Sequence, residues 1–286
     1  MARRRAATGL SRLFRLAVFV LVVGTSLWQG VSPDREGTSA PSAPSGGPLR
    51  VDGGPRPSGA LPTMVLSGEP KRSGGAYTGT AFALDRAATY ATARHVIDDC
   101  SRLVVEVGGR RRGVARIVAH ARADLAVIEL DGGPGEGLVA PDRAAEPGRN
   151  DAGYALGYPQ GERGALVGSR LGKAAVTYRD GAPALGDVWA VERYPLLADS
   201  REIGGISGGP MLDSEYRLSG IIVGSSPRRA RAVTINPAHL PYLVRESGQG
   251  GVPLAAPGQP LTPDAVDALN AELQRAGLVA RVLCLA

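Results

Sequence analysis

Gly204-Gly205-Ile206-Ser207-Gly208-Gly209-Pro210 sets one serine among four glycines. Glycine adopts backbone conformations closed to other residues, so such a run suits a tight, strained turn. A turn of this kind presents the hydroxyl and aims backbone N–H groups at a reacting carbonyl oxygen. Read alone, Ser207 is either a turn residue or a nucleophile. A G-x-S-x-G run also marks the nucleophile elbow of an α/β-hydrolase, which needs an acid and then a histidine after the serine. Only His239 follows, 32 residues on, with Asp213 the only aspartate between. No strand–helix alternation is visible either, so that fold is excluded.

The stretch before the serine supplies what the stretch after it lacks. His95 lies in Thr92-Ala93-Arg94-His95-Val96, a strand end entering a turn. Asp124 opens the apolar run Asp124-Leu125-Ala126-Val127. Each alone reads as structural: a turn histidine, a strand cap. Together, in the order His95, Asp124, Ser207, they form a constellation for nucleophilic catalysis. His120 and His239 read as surface residues.

The surrounding pattern is all-β. Short apolar runs bounded by Gly, Pro and Asp predict strands near 78–84, 89–92, 103–107, 114–119 and 125–130. A second set falls at 152–156, 166–178 with a break at Gly172, 188–191, 210–212, 218–224 and 232–235. The Gly-, Pro- and charge-rich segment 131–150 separates the sets and predicts two small barrels, about 76–135 and 150–236. Pro237 after Asn236 opens a short helix ending near Val244. In the extension 246–286, Thr262 is the expected N-cap of a helix over 265–276, Gly277 its stop, and 278–285 a last strand.

Composition narrows the function. The 286 residues carry a formal charge of +6, but Lys71 and Lys173 are the only lysines among 33 basic residues. Five arginines crowd the N-terminus and the rest are scattered, without the basic stripe and stacking aromatics of a nucleic-acid binder. Two cysteines without a C-x-x-C pair and three histidines without ligand spacing argue against a metal site, and no cofactor is implied. Residues 1–30 pair that basic start with the uncharged stretch Leu16–Trp28. They read as a signal peptide or a signal-anchor; poor cleavage sites favour the uncleaved anchor, with the rest of the chain outside the cytoplasm. Release of the N-terminal segment would make the protein secreted. In residues 31–75, Gly, Pro and Ser make up 24 of 45 positions, predicting a disordered tether. In an exported chain, Cys100 and Cys284 are expected to pair and pin the final strand beside His95.

Five segments in order resemble a bacterial trypsin-like serine protease of the HtrA-type branch. Gly79-Thr80-Ala81-Phe82 is similar to that family's G-x-G/x-F strand, and Thr92 to Val96 to its T-x-x-H-V. Asp124-Leu125-Ala126-Val127 is similar to its D-L-A-V/L, and Gly157-Tyr158-Pro159-Gln160-Gly161 to its G-x-P-x-G turn. Asp199 through Pro210 resembles its serine loop in register. The resemblance covers about 76–245, and the residues after Val244 are too few for a PDZ domain.

The resemblance implies a chymotrypsin-like fold of two six-stranded antiparallel β-barrels and a polypeptide substrate. It implies Ser207 as nucleophile, His95 as base and acid, and Asp124 as the group that orients the imidazole. Gly205 and Ser207 supply the oxyanion hole; Arg201, Gly224 and Ser225 line the substrate pocket, Arg201 favouring acidic P1 side chains. Two departures matter. Ile206 stands where zymogen-type trypsins carry an aspartate, so activation by an inserted N-terminus is not expected. Ile203-Gly204-Gly205-Ile206 replaces the usual Asn-Pro-Gly-Asn, which predicts an oxyanion turn that is looser, or inactive until substrate binds. That turn keeps open a second reading, a catalytically weak barrel that binds a peptide or partner; a secreted esterase is a third. Oligomeric state is not legible.

Overall fold

The computed structural model describes residues 47–66, 76–84, 88–132, 136–139, 144–179, 181–195, 203–245, 252–253 and 258–285. The expected N-terminal anchor, most of the tether and Arg201 lie outside the described residues. Among the described residues, no helix is long and apolar enough to cross a membrane.

Two short strands, β1 (Leu49–Val51) and β2 (Thr63–Leu66), come first. They are followed by β3 (Ala76–Ala83), β4 (Thr89–Thr92), the single turn α1 (Arg94–Ile97), β5 (Arg102–Val107), β6 (Arg110–Arg112), β7 (Val114–His120) and β8 (Ala126–Leu130). The second half contains β9 (Glu136–Gly137), β10 (Ala152–Gly157), β11 (Gly164–Tyr178), β12 (Ala184–Arg193), β13 (Pro210–Leu212), β14 (Leu218–Ser226) and β15 (Arg231–Ile235). The tail holds α2 (Leu240–Val244), β16 (Val252–Pro253), α3 (Val266–Ala276) and β17 (Val279–Leu285).

The second half is a closed barrel. Its order is β10-β13-β14-β15-β12-β11, and β10 pairs again with β11 to complete the ring. The break expected at Gly172 is a β-bulge, where the pairing of β11 with β12 shifts between Arg170 and Gly172. The first half departs from expectation: it is an open sheet, in the order β1-β7-β8-β4-β3-β17-β5-β6. β17 inserts between β3 and β5, and β1 pairs in parallel with the edge of β7 that closure would need. Cys100 and Cys284 form a disulfide that fastens this last strand to the turn after α1.

Residues 47–66 are therefore not tether. β1 lies along β7 with Leu49 opposite Val118, and β2 along β11 with Leu66 opposite Tyr178. Composition measures whether a segment can build its own core. It does not measure whether the segment can add a strand to an existing sheet edge, where backbone hydrogen bonds suffice.

Side chains complete that dock and overturn the surface reading of two histidines. His120 and His239 are both 0% exposed. His120 Nε2 donates to the Gly53 carbonyl at 2.7 Å, because its Nδ1 already accepts from the Arg122 and Ala123 amides. His239 Nδ1 donates to the same carbonyl at 3.0 Å, and the two rings meet edge to face. Burial pushes both below the ordinary histidine range, His239 to about 4. Arg122 Nε closes the clasp on Asp52 at 2.7 Å.

α3 begins later than expected. Ala265 flanks it without a side-chain cap, because Thr262 makes a turn through its carbonyl, accepting from the Ala265 amide at 3.1 Å. Gly277 ends it in the left-handed conformation at φ 78°.

Candidate active site

Asp124 and His95 come from adjacent elements of the open sheet. β4 runs into α1, which carries His95, while Asp124 sits in the turn just before β8, the neighbour of β4. Asp124 is 0% exposed. Its Oδ1 accepts from the His95 main-chain amide at 2.8 Å and its Oδ2 lies 2.6 Å from His95 Nδ1. A carboxylate beside Nδ1 requires the proton on that nitrogen, leaving Nε2 as the free base. Two contacts from one carboxylate fix both the position and the rotation of the ring.

Tyr178, at the end of β11, forms a wall beside the imidazole, with ring centroids 6.3 Å apart. Its hydroxyl donates to Asp98 Oδ2 at 3.2 Å, and the Arg94 guanidinium covers its ring 5.2 Å from the centroid. Burial raises its pKa, which keeps the phenol neutral.

Ser207 arrives from the closed barrel. It shares one cleft of about 440 Å³ with His95, Gly205, Gly224 and Ser225. Among the described residues, no hydrogen bond joins the Ser207 hydroxyl to the imidazole; such bonds are often long in ligand-free sites and tighten on binding. Gly224 is small because Leu66 of β2 leans on it: a Cβ there would lie 2.8 Å from Leu66 Cδ2. Among the described residues, no cluster of three His, Cys, Asp or Glu side chains is placed to hold a metal.

The turn around Ser207 is pinned, contrary to the expected looseness. Ile203 O accepts from Ile206 N, Gly204 O from Gln160 N, and Gly205 O from Thr80 Oγ1. Ile206 O accepts from Gly209 N and Ser207 O from Thr80 N. Every carbonyl from 203 to 207 is thus engaged elsewhere. In a trans peptide the N–H points opposite to the C=O. The Gly205 and Ser207 amides have no acceptor among the described residues, and both residues line the cleft. Gly205 (φ 97°) and Gly208 (φ 87°) must be glycine, since a Cβ would meet Tyr158 O at 2.4 Å or Thr80 O at 2.1 Å. Ile203 and Ile206 give the loop an apolar footing beside Trp189 and Met211, in place of an ion pair.

Sequence reasoning missed Thr80, Gln160 and Tyr178. Thr80 and Gln160 fall inside segments singled out for other reasons, and an aromatic at the mouth of β11 is notable in a chain with 5% aromatics.

The sequence profile of the trypsin-like peptidase domain matches residues 79–221, half of the chain. A sequence search of curated proteins returns no match. Among solved structures, the Rv3671c protease of M. tuberculosis in its active form is similar at 18% identity and TM-score 0.47, covering 70% of this chain and 96% of that one. The serine endoprotease from Yersinia pestis is similar at 18% identity and TM-score 0.44, over 61% and 64% of the two chains. The HtrA-type protease AlgW, crystallised with a decapeptide, gives 21% identity and TM-score 0.42 over 55% and 47%.

Proposed function

The chain belongs to the trypsin-like peptidase domain family, and from that premise we propose that it is a serine endopeptidase acting through His95, Asp124 and Ser207. The observation that carries the reading is the double contact of a buried Asp124 with His95, in a cleft shared with Ser207. Ser207 Oγ attacks the scissile carbonyl as His95 Nε2 takes its proton. The resulting oxyanion accepts from the Gly205 and Ser207 amides. His95 then returns the proton to the leaving amine, and an acyl-enzyme remains. Water, deprotonated by the same imidazole, releases the acid product. Asp124 holds the ring and stabilises the imidazolium throughout.

The substrate is an extended polypeptide lying along the cleft past Gly224 and Ser225. Residues 1–30 anchor the chain in the membrane with the catalytic part outside the cytoplasm, a setting in which the Cys100–Cys284 pair stays oxidised. Cleavage-site profiling of a denatured proteome with wild-type and Ser207→Ala protein tests the reading. Cuts present only with wild type support it; identical profiles contradict it.

A further inference from the structure

α3 lies beyond the stretch the family profile matches. Its buried residues, Val266, Asn270, Leu273 and Gln274, share one side of the helix. Two of these four are primary amides, 1% and 4% exposed. Burying an amide is unfavourable unless it finds hydrogen-bond partners. The NH2 groups of both find them in one place, while Gln274 Oε1 is buried without a partner among the described residues. Asn270 Nδ2 donates to Gly164 O at 2.8 Å, and Gln274 Nε2 donates to Gly157 O and to Asn270 Oδ1, each at 3.0 Å. Gly157 and Gly164 face each other as the last residue of β10 and the first of β11. The two amides therefore clamp the neck of the loop 158–163.

That loop meets the serine turn directly at two points and through Thr80 at a third. Gln160 N donates to Gly204 O. Thr80 Oγ1 accepts from Tyr158 N and donates to Gly205 O. A Cβ on Gly205 would lie 2.4 Å from Tyr158 O. Gln160 itself sits at φ 54°, a left-handed conformation that persists in a non-glycine residue only where the surroundings hold it.

We propose that Asn270 and Gln274 are positioning residues for the oxyanion hole. By holding the Gly157–Gly164 neck they keep Gln160 N on Gly204 O, and so keep the Gly205 N–H turned into the cleft. The proposal rests on the serine peptidase reading.

Gln274→Met and Asn270→Leu remove the donors at nearly constant volume. A fluorophosphonate probe places its phosphoryl oxygen in the oxyanion hole, so its rate of labelling in the full chain reads the hole without a known substrate. Each variant is expected to label about 10-fold more slowly than wild type, a fraction of the loss seen when a donor is removed outright. The pH midpoint of labelling stays in place, because His95 and Asp124 are untouched. Amide exchange speeds up at 158–164 and 203–207 well below the melting temperature. A folded variant that labels at the wild-type rate overturns the proposal, as does exchange unchanged in those segments. Should one variant fail to fold, the other and Gln274→Asn, which keeps the amide on a shorter stem, are read the same way. A wild-type chain that does not label sinks the peptidase reading and this proposal together; equal labelling of wild type and variants sinks this proposal alone.

Discussion

Thr80 Oγ1 donates to the Gly205 carbonyl at 2.8 Å while accepting from the Tyr158 amide at 3.0 Å. One buried hydroxyl on β3 thus ties the serine turn to the loop that backs it. Thr80→Val keeps the shape and deletes both bonds. The expected result is a fall in kcat of about 10-fold or more with KM little changed, as for a weakened oxyanion donor. Unfolding free energy should drop by about 1–3 kcal/mol for the polar groups left unpaired. Steady-state kinetics on a peptide taken from the cleavage profile, with urea melts, measure both.

Ile206 is 1% exposed beside Ile203, Trp189 and Met211. Ile206→Asp places a carboxylate in that apolar cluster, which holds no cation among the described residues. Destabilisation of several kcal/mol or failure to fold is expected, whereas Ile206→Leu should cost less than about 1.5 kcal/mol. Denaturant melts of the two variants give the comparison. An aspartate variant as stable as wild type would mean that an N-terminal or arginine partner reaches the site.

His239 gives stability a pH dependence of defined sign. Its pKa falls from 6.5 to about 4 in the fold because burial and the neighbouring His120 oppose the charge. Between those values the unfolded chain holds a proton that the folded chain does not. The clasp on Gly53 therefore contributes fully above pH 6.5 and weakens as the pH falls toward 4, by about 3 kcal/mol from this residue. His120, lowered for the same reason, acts in the same direction. Urea melts across this window should show the loss in wild type and a flatter profile in His239→Gln.

The Cys100–Cys284 bridge closes a loop spanning 184 residues. Chain-entropy reasoning assigns a closed loop of this length a stabilisation of about 5 kcal/mol. The double variant Cys100→Ser, Cys284→Ser should melt lower by that amount. Intact mass after alkylation should detect no free thiol in native wild type and two after reduction.

How much of this was legible depends on where each residue's environment is encoded. Ser207, Asp124 and His95 stood out because the surrounding glycines and apolar runs carry their context locally. The strands of the closed barrel were readable because turn residues bound each apolar run. β6 was not: Arg110-Arg111-Arg112 reads as a charge cluster, yet at a sheet edge a charged strand pairs with β5 and faces solvent. β1 and β2 hide in a Gly- and Pro-rich stretch because their stability comes from the edges of β7 and β11. Burial of His120 and His239 depends on Gly53, far away in sequence. Asn270 and Gln274 look like a solvated helix face until the carbonyls of Gly157 and Gly164 are set against them.

The central claim is that Ser207 is a nucleophile activated by His95. Intact-mass analysis and peptide mapping after reaction with a fluorophosphonate test it directly. The account predicts one adduct, on Ser207, absent in Ser207→Ala and strongly slowed in His95→Ala. A wild-type protein that cleaves casein while remaining unmodified at Ser207, or a Ser207→Ala protein that still cleaves it, would contradict the account.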